Sequence, residues 1–101
     1  MVRSKRTLGK VATRILLEND RVRIWELVLA PGQSSDWHHH ILDYVTVATT
    51  AGTTRMEMED GAVSENSREV GAINFRKTHQ PHVVTNIGKN ITSNILIELK
   101  E

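Results

Sequence analysis

Five histidines fall between residues 38 and 82: His38, His39, His40, His79 and His82. Imidazole is the side chain best suited to bind transition metals and to exchange protons near neutral pH. In an extended chain, residues two apart share a face, so His38 and His40 project together about 7 Å apart and both rings can reach one ion. His39 points the other way. A solvated strand face would carry the same residues without an ion, and part of the sequence supports that alternative. On the side opposite His38 and His40 lie Trp37, Ile41, Val45 and Val47, which hydrophobicity alone would turn inward, and only Leu42 favours the other orientation. The chain has no cysteine, so any metal must be held by nitrogen and oxygen ligands.

The elements that would position these rings read as short strands. No segment shows sustained helical periodicity, and glycines and polar clusters cut the chain into runs of strand length at 13–17, 21–30, 37–49, 53–59, 62–64, 72–75, 82–87 and 91–99. In the run 53–59, Thr54, Met56 and Met58 alternate with Arg55, Glu57 and Glu59, and Asp60-Gly61 then supplies a tight hairpin turn. Met56 and Met58 read as core or interface residues. The last run places Ile91, Ile95, Ile97 and Leu99 on a single face. About eight strands at intervals of roughly ten residues predict an all-β sandwich or barrel.

At 101 residues, with 39% hydrophobic and 25% charged residues, the chain has room for one small globular domain. The formal net charge of +1 conceals an asymmetry. Arg3, Lys5, Arg6, Lys10 and Arg14 all precede the first acid, Glu18, leaving eight bases against twelve acids in residues 15–101. The reading is a basic N-terminal arm, 1–14, on a single domain, 15–101. No aromatic residue interleaves with the arm's bases, so it is read as a solvated or strand-forming terminus, not a nucleic-acid contact. No stretch has the length and apolarity of a signal peptide or a membrane span, and a cytoplasmic protein is expected.

Two spaced blocks carry a resemblance. Gly32 is followed by five residues, His38-x-His40, three residues and Tyr44; later come Gly71, His82, three residues and Asn86. These resemble the paired motifs of the cupin superfamily across residues 20–100, which implies a small jelly-roll β-barrel. Position by position, His38, His40 and His82 take the places of the family's three metal-binding histidines. Tyr44 stands where the family has glutamate; Asp43 could replace that carboxylate only through a bulge, since alternation sends it to the opposite face. Lys77-Thr78-His79 replaces the family's Pro-x-Gly. The run 21–32 and Asp43-Tyr44 are also similar to small cupins associated with β-alanine degradation.

The resemblance implies one divalent transition metal ion (Fe, Mn, Ni or Zn) in the barrel, held by His38, His40 and His82. Tyr44 would be a fourth ligand or a proton donor, its pKa lowered if it faces the metal, or else a core tyrosine. His79 is either a general base or an exposed turn residue. The expected function is a metal-dependent dioxygenase or isomerase/lyase acting on a small polar organic molecule; the alternative is a non-catalytic module binding a small ligand. Neither nucleic acid nor membrane is an expected partner. If the histidine face is inward, the apolar face with Ile41, Val45 and Val47 points outward and needs a cover, so a homodimer is expected, with residues 13–17 as a candidate exchanged strand.

Overall fold

The computed structural model describes residues 9–77 and 81–100. Among these, eight strands and no helix form: β1 (Arg14–Glu18), β2 (Val22–Leu29), β3 (Tyr44–Ala48), β4 (Gly52–Met58), β5 (Val63–Arg68), β6 (Ile73–Arg76), β7 (His82–Asn86) and β8 (Thr92–Leu99). They build two antiparallel sheets, ordered β1-β2-β8-β3-β6 and β5-β4-β7. The all-β jelly-roll is thus present, but its sheets are not joined by strand pairing into a closed barrel. No helix among the described residues is long and apolar enough to cross a membrane.

Two runs differ from the sequence expectation. Within 37–49 only Tyr44–Ala48 is a strand. Ser34 and His38 instead form isolated bridges to Thr85 and His82 of β7, in the three-stranded sheet, whereas β3 pairs with β8 and β6 in the five-stranded one. One straight strand cannot serve both sheets, so the chain crosses between them over 39–43. The hairpin return is also longer than 62–64. Polar residues 64–68 continue the ladder as far as Gly52 opposite Arg68. Its turn falls at Asp60-Gly61 as expected, with the left-handed conformation at Gly61, φ +94°, but not at Asp60, whose carboxylate accepts the Ala62 N–H at 2.9 Å.

Packing brings the sheets together over Trp25, Leu27, Leu29, Tyr44, Val84 and Leu96, with Met56 against them. Full burial of each large apolar side chain contributes roughly 1.5–3 kcal/mol. Ala12 is buried in the same core, and the backbone N–H of Gly9 donates to the Trp37 carbonyl at 2.8 Å, so residues 9–13 lie against the domain.

On β3 and β8 of the larger sheet the faces are inverted in polarity, whereas β2 turns Trp25, Leu27 and Leu29 inward. Inward along β8 point Thr92, Asn94, Leu96 and Glu98, and along β3 Tyr44, Thr46 and Ala48. The single-face set Ile95, Ile97 and Leu99 points outward. Register then places Leu17, Ile24, Ile97, Val45 and Phe75 side by side across all five strands. A second row joins Ile95, Val47 and Ile73. His38 and His40 are buried although the residues on the opposite side of the same run, Trp37, Ile41, Val45 and Val47, are the more apolar set.

Candidate metal centre

His38 and His82 are positioned by a reciprocal backbone pair: each N–H donates to the other's carbonyl, at 3.0 and 2.8 Å. Directly opposed residues of an antiparallel pair project to the same side, so their rings converge. His40, two residues on, joins them although the local chain is not a strand. The three residues are 2%, 1% and 1% exposed for His38, His40 and His82, and their ligand nitrogens all lie within 4.8 Å of one another. Ring centroids are 4.4 to 5.1 Å apart.

His38 Nδ1 lies 2.7 Å from the Asp36 carbonyl, an acceptor, so Nδ1 carries the proton and Nε2 offers the lone pair. The donor set suits a transition metal: three imidazole nitrogens in one buried cluster, with no thiolate and no carboxylate in the group. Metal–imidazole bonds run about 2.1 Å, and the ligand nitrogens lie within 4.8 Å of one another.

Tyr44 faces inward beside this group, its ring stacked on His40 at 3.9 Å between centroids. Burial pushes its phenol up to about 12, against the smaller opposing pull of Arg76 and Arg68. In the protein alone the phenol is therefore neutral; the lowered value expected of a tyrosine facing a metal concerns the metal-bound form. Asp43 is half-buried and stands outside the histidine group, its carbonyl accepting the Leu99 N–H at 2.9 Å. His39 is exposed, as alternation requires. His79 lies outside the described residues. Asn86 is completely buried. Its amide donates to the carbonyls of Leu29 and Asn90 and accepts from the Gly88 N–H, which makes it a pin for the turn after β7.

The histidines form one wall of an open cavity between the sheets. Met56, expected as a core residue, lines that cavity as well as packing on the core. The sequence reading missed Arg68, Arg76 and Asn94, which also line it. A signal for Arg76 was available. In Ile73-Asn74-Phe75-Arg76 the apolar pair matches the outward Val45 and Val47, so strict alternation turns Arg76 inward, opposite Tyr44.

Solved structures show where this architecture occurs. A cupin domain from Bordetella pertussis Tohama I is 29% identical, with 98% of this chain and 100% of that one covered and a TM-score of 0.81. An RmlC-like cupin family protein with a double-stranded β-helix fold from Methanocaldococcus jannaschii matches at 15% identity, 99% and 93% coverage and a TM-score of 0.68. A cupin 2 conserved barrel domain protein from Salinispora arenicola matches at 18% identity, 99% and 85% coverage and the same TM-score of 0.68. The latter two likenesses are of fold alone. No protein-family model and no curated protein matches the sequence.

Proposed function

Because the chain belongs to the cupin superfamily, we propose that His38, His40 and His82 hold one divalent transition metal ion at the inner wall of a small-molecule pocket. The observation that carries this reading is the convergence of three almost fully buried imidazoles on one point, with the His38 tautomer set by the Asp36 carbonyl. A metal bound there supplies Lewis acidity and, if it is redox-active, a route to dioxygen chemistry.

The reaction class we propose is dioxygenation, or metal-assisted isomerisation or elimination, of a small polar organic molecule. Tyr44, stacked on His40, acts as a fourth ligand or as a hydrogen-bond or proton donor to the bound molecule. His79 is the proposed general base on sequence grounds. A second reading, a non-catalytic ligand-binding module, is favoured by one observation: none of the described residues lining the cavity is a carboxylate, so they provide no acid/base pair of the usual kind. Oxygen uptake and product analysis together separate the two. Metal-loaded protein given a panel of small amino acids, diketones and aromatic diols should convert at least one of them, with oxygen consumed if the reaction is dioxygenation and without it if it is isomerisation or elimination. Calorimetric binding of a panel member without turnover in any metal form would establish the module.

We further propose that the molecule is a homodimer through the outer face of the five-stranded sheet. Ile73 and Phe75 are 68% and 57% exposed at the end of cross-strand rows that also hold Val45, Val47, Ile95 and Ile97. A monomer would leave this continuous apolar surface in water. Light scattering should give twice the 11.4 kDa chain mass, and the double substitution Ile73→Glu/Phe75→Glu should yield a folded monomer. A monomeric parent protein at micromolar concentration would contradict the proposal.

A further inference from the structure

Arg68 and Arg76 differ from the ion-paired arginines of the fold in how their charge is met. Arg14, Arg23 and Arg55 each have a carboxylate oxygen within 2.9, 2.7 and 3.4 Å. Arg68 and Arg76 have no ion pair among the described residues, although both are half-buried and both line the histidine cavity. The one side-chain hydrogen bond from Arg68 is long, 3.5 Å to the Thr46 hydroxyl. The cavity wall itself contributes no aspartate or glutamate among the described residues.

Topology explains the pairing of these two side chains. Arg76 ends β6 directly opposite Tyr44 of β3, and partners in an antiparallel ladder share a face. Arg68 ends β5 at the edge of the other sheet. The two side chains come from different sheets, yet both line the histidine cavity and both charges act on the Tyr44 phenol. Tyr44 in turn stacks on His40. Burial and the nearby Arg76 charge both push the Arg68 guanidinium below its ordinary value. Two partly desolvated like charges without a counter-ion are an unfavourable arrangement that a bound anion would relieve.

We propose that Arg68 and Arg76 are the anion-recognition half of the ligand site, and that the ligand is a small organic acid whose carboxylate sits on these guanidinium groups while its other end reaches the histidine cluster. This deepens the small-molecule reading given above and rests on it. A planar carboxylate matches the guanidinium fork bidentately.

The test uses malonate as the probe, its neutral diamide malonamide as the control and inorganic phosphate as the competing oxyanion. Each is titrated by calorimetry into the full chain, once metal-loaded and once after chelator treatment. Malonate should bind, malonamide should not, and Arg68→Gln and Arg76→Gln should each weaken malonate about tenfold or more. The same variants should keep the parent's metal content and should melt no lower than the parent without ligand. If a glutamine variant fails to fold, Arg68→Lys or Arg76→Lys retains the charge but loses the fork, and should give an intermediate affinity. Equal binding of malonate and malonamide, or unchanged malonate affinity in both variants, would overturn the proposal; tighter binding of phosphate would overturn its carboxylate assignment. Because the arginine dependence is read in chelated protein too, its failure is separate from failure of the metal site, which the metal content reports.

Discussion

Arg23→Ala is expected to destabilise the fold by about 3 kcal/mol. Glu98 is 1% exposed, and one of its oxygens accepts from Arg23 Nε at 2.7 Å and from the Trp25 indole N–H at 2.6 Å. Its other oxygen is buried with no hydrogen-bond partner among the described residues. Removing the guanidinium leaves a buried carboxylate held by one indole donor, and an uncompensated buried charge costs more than a lost neutral contact. Partial exposure of Arg23 and its second carboxylate, Glu18 at 3.6 Å, keep the cost at the lower end of the usual range. Glu98→Gln should cost only about 1 kcal/mol, since it retains an acceptor and the packing volume. Urea denaturation of the two variants checks the asymmetry. A smaller loss for Arg23→Ala than for Glu98→Gln would show that the pair is not an important source of stability.

Metal loading should stabilise the protein to a comparable or greater degree, and only when all three histidines are present. At a metal concentration about a thousandfold above its dissociation constant, a site absent from the unfolded chain contributes about 4 kcal/mol. For a domain of this size that corresponds to a rise of roughly 15 °C or more in Tm. His82→Ala should abolish the rise. Its imidazole comes from β7 and is the one ligand brought by the three-stranded sheet's own ladder, opposite Met58 of β4. Calorimetric melting of both proteins with and without metal is the direct measurement; an equal rise in the variant would place the ion elsewhere.

Much of this architecture was legible in the residues, because period-two alternation is a local property. Turn chemistry at Asp60-Gly61 and the strand runs 21–30, 53–59, 82–87 and 91–99 all have counterparts in the observed elements. Alternation also separated Tyr44 and His40 from His39 and Asp43. It could not decide which face turns inward. In β8 the apolar set Ile95, Ile97 and Leu99 is outside and Thr92, Asn94 and Glu98 are inside, the reverse of what hydrophobic burial alone favours. A polar interior is what a ligand cavity requires, and an apolar exterior is what a subunit interface requires. Neither requirement is written in a single strand.

The convergence of His82 with the histidine triplet was likewise beyond local reasoning. It depends on residues 34–38 leaving one sheet to bridge to β7 of the other, a non-local pairing that broke the expected strand 37–49. The spacing of two motif blocks supplied what periodicity could not. Arg68 and Arg76 escaped notice because a charge at a strand end ordinarily reads as solvated, and only the facing of two sheet edges turns both toward the histidines.

The central claim is that these three imidazoles share an ion. Elemental analysis of protein prepared without a histidine tag, reconstituted in turn with Fe(II), Mn(II), Ni(II) and Zn(II) and then desalted, tests it most directly. The predicted result is close to one ion per chain for at least one metal, lost in His38→Ala, His40→Ala and His82→Ala alike. A chain that stays empty with every metal, or that holds its ion equally well in those three variants, would contradict the account.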